Sequence, residues 1–544
     1  MIRIFAGLLG VVLCLSAVPG VAESKPESER FAETLAQLTT RSFSEKAKVI
    51  EALAALNDER VPSVLESLLD GRLYYRKSDR EMLHVEKRDR ALLATAVLSG
   101  EVLGEVGKRS VKKISVNNAL RRQLRGLIAA FQLQHKAADQ RMSAAQEMIK
   151  SPAAEYLEPL ERAIAAESVP GVRRRMETAR SMILLDSEDP GLRLAAVEEL
   201  RGVSDKHVMT ILTQLLAEDG TGGAGEKDAA VREAAQDVLA GLHTRARIYK
   251  FVEDLFFGVS AGSVLLLAAI GLAITFGVMG VINMAHGEMI MLGAYTTYVV
   301  QLLMPNHIGL SLVVAVPAAF LVAGLFGVVI ERGVIRFLYG RPLETLLATF
   351  GISLILQQLV RTIFTPLNRS VITPDWMSGS WEINGMLSLT YNRLYIILFS
   401  LGVLLALMQV LKRTLFGLQM RAVTQNRPMA SSMGIRTGWV DAMTFGLGSG
   451  IAGIAGVALS QLTNVGPNLG QAYIIDSFMV VVFGGVGNLL GTFVGAMSLG
   501  IVNKFAEPIV GAVLAKILIL VFVILFIQRR PRGLFALKGR FVED

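Results

Sequence analysis

From about Val252 to Ile527 the chain is a succession of long apolar runs in which charged residues are sparse. No other feature restricts the fold as tightly. Backbone N–H and C=O groups in a hydrocarbon layer have no water to bond, so spanning segments must be helices or a closed barrel. The runs are too long and too continuous for alternating barrel strands, and about 20 apolar residues are needed per helical crossing. Candidate spans are Leu255–Thr275, Glu288–Met304, Leu310–Ile330, Thr345–Phe364, Leu394–Leu411, Val440–Leu462 and Val510–Ile527. Two further apolar pieces, Ile474–Val486 and Leu489–Val502, are each short for a crossing. They read as two short helices or one re-entrant hairpin. Either way the chain returns to the same side.

The part before this region has a different character. Lys, Arg, Asp and Glu are dense up to about Asp254, which marks a soluble domain ahead of a membrane domain. A chain of 544 residues is also too long for one ordinary core. Met1 to Ala22 has the order of a secretory signal: Arg3, an apolar stretch from Ile4 to Val18, then small residues at Gly20-Val21-Ala22. The expected organisation is a signal segment at 1–22, an exported domain at 23–250, a permease domain at 251–528 and a tail at 529–544. The sole cysteine, Cys14, follows the bulky Leu13, which disfavours lipidation, and permits no intramolecular disulfide or thiolate metal cluster. The formal charge of +8 reflects topology-setting loops rather than nucleic-acid binding.

In the exported part, Leu192–Leu200, Lys206–Leu216 and Ala230–Leu239 read as successive amphipathic helices. Arg193 and Arg232 lie 39 residues apart, close to the period of helical-hairpin repeats. Ser44 to Leu69 has a similar build, with a helix ending near Leu56, a polar turn at 57–60 and Pro62 at a helix start. These stretches resemble HEAT-like repeats and suggest either a docking platform or a structural appendage. Arg72 to Lys150 shows no regular pattern. Gly104 to Ser110 is not a P-loop, because Arg109 stands where a Ser or Thr should meet magnesium. The fold class expected is all-α: a polytopic helical membrane domain behind an exported helical domain.

The charges orient the membrane part. With the N-terminal domain exported, the inside loops hold Arg332, Arg336 and Arg341, then Lys412, Arg413, Arg421, Arg427 and Arg436, then Arg529, Arg530, Arg532, Lys538 and Arg540. The outside loops hold little beyond Arg369, Arg393 and Lys504, in agreement with the positive-inside rule. The expected location is a bacterial inner membrane, with a cytoplasmic C-terminus and lipid around the helices.

Three segments are candidates for mechanism. Gly280 to Glu288 places Asn283, His286 and Glu288 between two apolar spans, where polar groups are costly and face a cavity or a partner. The bland alternative is a solvated turn. The second candidate runs from Asn464 through Asn468, Asp476 and Ser477 to Asn488. Glycine-interrupted apolar segments point to transport sites, and an amide both donates and accepts, which suits a small neutral solute. Tight turns would explain the same glycines. Phe276–Gly280 with Asn283 is a faint echo of Phe483–Asn488. The third is the inside stretch Gly417–Ile435, containing Arg421, Ala422, Asn426, Arg427, Ala430, Met433, Gly434 and Ile435, which could form a short amphipathic helix that docks another protein. No metal-ligand spacing and no cofactor motif appears.

The order Asn283–Glu288, then Arg421-Ala, Met429-Ala and Met433-Gly-Ile435, then Phe483-Gly-Gly-Val-Gly487 resembles the LivH-type permeases of branched-chain amino acid ABC importers, over Val252 to the C-terminus. Within that family, Thr424–Pro428, Leu447–Leu459, Asn464–Pro467 and Tyr473–Val480 are similar to urea permease subunits, as is the long exported extension. The resemblance implies a non-enzymatic importer subunit that passes urea, working with a second permease subunit, two ABC ATPase subunits and a periplasmic substrate-binding protein. It also implies that Gly417–Ile435 is the coupling element. Short-chain amides or branched-chain amino acids are alternative solutes. A passive channel or secondary transporter is the alternative of a different class.

Overall fold

The computed structural model describes residues 27–535, apart from 41, 57, 89–90, 108 and 218–224. The expected signal segment, most of the Thr221–Gly225 loop and the tail beyond Phe535 lie outside the described residues. The chain divides into two compact units, 1–243 and 244–544.

The first unit opens with three helices, α1 (Glu27–Ala36), α2 (Phe43–Ala54) and α3 (Val61–Leu69). Ser42 caps α2 by accepting from the Glu45 N–H, and Pro62 sits in the first turn of α3, where its missing N–H costs nothing. Phe31, Leu35, Ile50, Leu53, Leu65 and Leu68 close their shared core. There follows an antiparallel sheet of β1 (Leu73–Arg76), β2 (Met82–Arg88), β3 (Ala91–Ala96), β4 (Val102–Glu105) and β5 (Val111–Lys113), in the order β4-β3-β2-β1-β5. The molecule is mainly helical, as expected, and this small sheet falls in the stretch where the sequence showed no regular pattern. Its strands are short, and β2 and β3 carry Glu86, Lys87, Ala91, Ala94 and Ala96, so neither strand-forming composition nor clean alternation marks them. The turn signals are present: Arg80 and Gly100 both have positive φ between paired strands.

Helices α4 (Asn118–Gln132), α5 (Ala138–Lys150), α6 (Leu157–Ala166), α7 (Pro170–Leu184), α8 (Pro190–Glu199) and α9 (Lys206–Leu216) complete the unit ahead of α10 (Ala229–Met279), within which the boundary between the units falls. One device recurs here. Arg141, near the start of α5, donates to both carboxylate oxygens of Glu167, ahead of α7, at 2.6 and 3.0 Å, and to the His135 and Lys136 carbonyls. Arg193 near the start of α8 does the same to Glu226, ahead of α10, at 2.8 Å twice, and to the Ser187 and Glu188 carbonyls. Arg175 of α7 reaches Asp205, ahead of α9, at 2.8 Å. Each link joins the start of one helix to the start of the next but one, so alternate helices are held in register.

The second unit continues with α11 (His286–Leu303), α12 (Ile308–Gly333), α13 (Pro342–Phe364), a hairpin of β6 (Ser380–Asn384) and β7 (Leu387–Thr390), α14 (Tyr391–Arg413), α15 (Leu415–Gln425), α16 (Arg427–Ser432), α17 (Thr437–Ser460), α18 (Leu469–Gly484), α19 (Leu489–Val510) and α20 (Ala512–Arg529). Among the described residues seven helices are long and apolar enough to cross a membrane: α10, α12, α13, α14, α17, α19 and α20. The two short apolar pieces of the sequence are separate helices, α18 and α19. The second runs to 22 residues because it continues past Val502 through Asn503, Lys504, Glu507 and Pro508, which lower the local hydropathy without ending the helix.

The Arg141–Glu167 pair gives a pH dependence. Arg141, with the Val169 N–H, holds the buried Glu167 carboxyl at about 2, down from 4.5. A lowered acid pKa means the pair stabilises the fold above about pH 4.5, and that contribution is lost as pH falls towards 2. Thermal melting of the purified protein is expected to drop across that window, and Glu167→Gln to flatten that part of the profile while costing about 2 kcal/mol at neutral pH.

Candidate functional site

The second unit is organised around a point where glycines of four helices meet. A methyl group on Gly287, in the first turn of α11, would lie 2.6 Å from the Gly470 carbonyl oxygen in the first turn of α18. One on Gly448 of α17 would lie 2.7 Å from the Gly271 carbonyl of α10, and one on Gly271 would strike the His286 ring at 2.8 Å. Backbones touch here because no side chain stands between them.

This contact fixes where α11 and α18 begin. His286 Nε2 donates to the Ala268 carbonyl at 2.9 Å. Ala268 precedes the end of α10 by eleven residues, so after Met279 the chain turns at Gly280 (φ +67°) and climbs back roughly 16 Å beside its own helix before α11 starts. Gly470 touches Gly287, next to His286, whose ring lies against Gly271; Gly271 in turn touches Gly448, which precedes the end of α17 by twelve residues. Residues 461–468 therefore run back roughly 18 Å before α18 starts. Two helices thus begin inside the bundle with their first turns in contact. Their unbonded N–H groups carry partial positive charge into the interior.

Asn283, His286 and Glu288 come together at this junction. Asn283 Oδ1 accepts from the Ala285 N–H at 3.0 Å and shapes the break. Glu288 is 1% exposed. Its Oε1 accepts from Ser353 Oγ at 2.8 Å and from Gln357 Nε2 at 2.9 Å. Arg361 Nη2 then donates to Gln357 Oε1 at 3.4 Å and to Asn468 Oδ1 at 2.8 Å. At the other end Thr349 Oγ1 accepts from the Met284 N–H at 3.1 Å. The result is a polar seam between α11 and α13 that reaches the loop before α18. Among the described residues, Asn283 Nδ2, His286 Nδ1 and Glu288 Oε2 are buried along it without a partner.

Thr345, Thr349, Ser353, Gln357 and Arg361 were missed by the reading of the sequence. The signal is a four-residue spacing of polar side chains in an apolar span, which places them on one ridge of a helix. Beyond Arg361, Arg369 and Val465 exchange backbone hydrogen bonds at 2.7 and 2.8 Å, and Gln301 pairs with both backbone groups of Ile372. Thr365, between them and α13, holds φ +71°, which is strained for a β-branched residue.

The other candidates fall elsewhere. Asn464 is exposed, one residue before the Arg369–Val465 bridge. Asp476 pairs with Lys516 of α20 at 3.0 Å. Ser477 Oγ donates back to the Tyr473 carbonyl within α18. Asn488 caps α19, accepting from the Leu490 and Gly491 N–H groups. The two echoing segments do meet, since a methyl on Gly277 would lie 2.5 Å from Gly487 Cα. By position, however, the counterpart of the α10–α11 break is 461–468, not the Phe483–Asn488 turn.

The stretch Gly417–Ile435 forms two helices instead of one. Asn426 is extended and caps α16 by accepting from the Met429 N–H, and Pro428 suits the first turn that follows. Arg421 donates to the Leu411 carbonyl. Ala430 is buried in the core that Ala422 also packs against, Ile435 N–H bonds back to the Ala430 carbonyl, and Gly434 turns the chain at φ +86°. Met429 and Met433 are left 59% and 77% exposed.

Residues 255–527 match the family model described as branched-chain amino acid transport system / permease component. The chain belongs to this permease family. It is 31% identical to the high-affinity branched-chain amino acid permease protein LivH of Escherichia coli K12 over 294 residues, 52% of this chain and 95% of that protein. It is 28% identical to BraD of Pseudomonas aeruginosa over 296 residues, 53% of this chain and 96% of that protein. The ribose import permease RbsC of E. coli is 23% identical over 278 residues, 49% of this chain and 82% of that protein. No solved structure matches the chain. Membership makes it a multi-pass membrane protein and a permease component of an ABC transporter. The family match begins at residue 255 and leaves the first unit uncovered.

The seam predicts non-additive behaviour. Ser353→Ala with Gln357→Leu strips both donors from a buried carboxylate and is expected to cost about 3 kcal/mol of stability. Adding Glu288→Gln is expected to recover most of that loss. Thermal unfolding of the detergent-purified variants reads both effects.

Proposed function

We propose that the chain is the solute-passing subunit of an ATP-driven importer, with the α11–α13 seam as its path and a branched-chain amino acid as its solute. The observation that carries this reading is that Glu288, midway along the seam, and Arg361, at its end, are bridged by Gln357. An acid within the seam and a guanidinium beside the first turn of α18 match the ammonium and carboxylate of a zwitterion. Interrupted helices whose N-termini face the middle of the bundle are a recurring way of holding a carboxylate in transporters. The names of LivH and BraD agree with this solute.

Urea is the second reading. It rests on the sequence stretches noted above and on the additional first unit, and its neutral amides would use Ser353, Gln357 and Asn468 without the charges.

On this reading the first unit lies on the outer side of a bacterial inner membrane, the C-terminus lies inside, and α15–α16 face the cytoplasm. Met429 and Met433 there would enter a groove of an ABC ATPase. A second permease subunit, a second ATPase and a substrate-binding protein complete the assembly.

Uptake in a deletion strain tests the reading. High-affinity uptake of labelled leucine is expected to fall at least about tenfold, a factor equal to 1.4 kcal/mol, and to return with the intact gene. Unchanged leucine uptake with lost urea uptake transfers the claim to urea. Unchanged uptake of both overturns the importer reading.

A further inference from the structure

At the inner end of the bundle, as oriented above, four side chains from three segments form one polar knot. Asp441, in the second turn of α17, is fully buried and binds the Arg427 guanidinium of α16 through both carboxylate oxygens, one contact being 3.2 Å. The Arg427 guanidinium also lies over the Tyr339 ring, 4.7 Å from its centroid. Tyr339 stands in the turn between α12 and α13, and its hydroxyl donates to Glu331 Oε1, near the end of α12, at 3.0 Å. Glu331 is itself fully buried, with Arg332 at 3.7 Å from its other oxygen.

The knot is placed to carry movement. A six-residue helix such as α16 has little packing of its own: Ala430 is buried, while Met429 and Met433 project outward. Its firm attachment to the bundle is therefore Arg427. From Asp441 the attachment runs into α17, whose Gly448, Gly453 and Gly456 touch α10, α12 and α11. From Tyr339 it runs within three residues into α13, which carries Ser353, Gln357 and Arg361. The two sides of the solute seam are thus both tied to one guanidinium. A buried carboxylate with a single cationic partner is also poorly able to exchange that partner for water.

We infer that Arg427, Asp441 and Tyr339 are positioning residues that convert displacement of α16 into relative movement of α13 against α11 and α17, opening and closing the seam. This rests on the reading of α15–α16 as the ATPase-facing element. An Arg–carboxylate fork with a stacked ring is directional in a way that apolar packing is not, so the knot transmits rotation as well as translation.

The test is the number of ATP molecules hydrolysed per solute imported by the complete transporter in proteoliposomes. Asp441→Asn removes the charge and one of the two acceptors while keeping the size of the side chain. Tyr339→Leu removes the stack and the hydroxyl while keeping apolar bulk. Each is expected to raise the ratio roughly tenfold, within the span of one coupling free energy. A ratio equal to wild type in both variants overturns the inference, since a merely structural role would change the amount of assembled transporter and not its stoichiometry. Should Asp441→Asn fail to accumulate, Tyr339→Leu alone decides. The underlying reading is checked separately with Met433→Cys in a Cys14→Ser background. Cross-linking of the introduced thiol to an ATPase subunit upholds that reading, so that an unchanged ratio then counts against the knot alone. No cross-link in a transporting complex overturns both.

Discussion

The meeting of Gly271, Gly287, Gly448 and Gly470 governs the second unit. A side chain at any of the four would drive into backbone or into His286. Because the backbones touch, α11 and α18 can begin inside the bundle, with chain ends at 280–285 and 461–468 returning beside the helices they leave. That arrangement is expensive for an isolated chain in lipid, since each break frees backbone groups. Asn283 and the Thr349 hydroxyl recover part of the loss by bonding the Ala285 and Met284 N–H groups. The polar side chains that repair the backbone also furnish the seam, so one constraint explains both the folding of the interior and its chemistry.

The seam in turn sets limits on what the rest must do. Glu288, Ser353, Gln357 and Arg361 are closed against one another in this conformation, and Arg369 with Val465 pairs across the far end. With the seam as the proposed path, a solute enters only when α13 and its neighbours separate. On the proposed reading, attachment of α13 and α17 to the Arg427 guanidinium gives that separation a handle, and the strained φ at Thr365 marks a point just after α13 with conformational energy to release.

Much of this was legible in the residues. The apolar runs located six of the seven spans because lipid requires helices of a certain length. The expected span Glu288–Met304 is α11, which is not among the seven helices apolar enough to cross, its run being diluted by His286, Glu288 and Gln301, while α19 takes its place. The Asn283–Glu288 stretch stood out because polar groups are rare at that depth. What the linear pattern concealed has physical causes. The extent of α19 was hidden by Asn503, Lys504 and Glu507, which a helix end can expose to water. The partners of Glu288 lie 65 and 69 residues away on α13, and only packing brings them near, although their four-residue spacing was visible. Asn488 looked like a path residue and is a helix cap. The five-stranded sheet was hidden by short strands rich in alanine and charge.

The central claim is that the α11–α13 seam is the solute path and opens alternately to the two sides. Its most direct test is the reactivity of Ser353→Cys, in a Cys14→Ser background, towards a membrane-impermeant thiol reagent in oriented vesicles. The account predicts that the thiol is reached from one side without nucleotide and from the other with ATP trapped, with solute protecting it. A thiol unreactive from both sides in every nucleotide state, in a transporter that still imports normally, would contradict it.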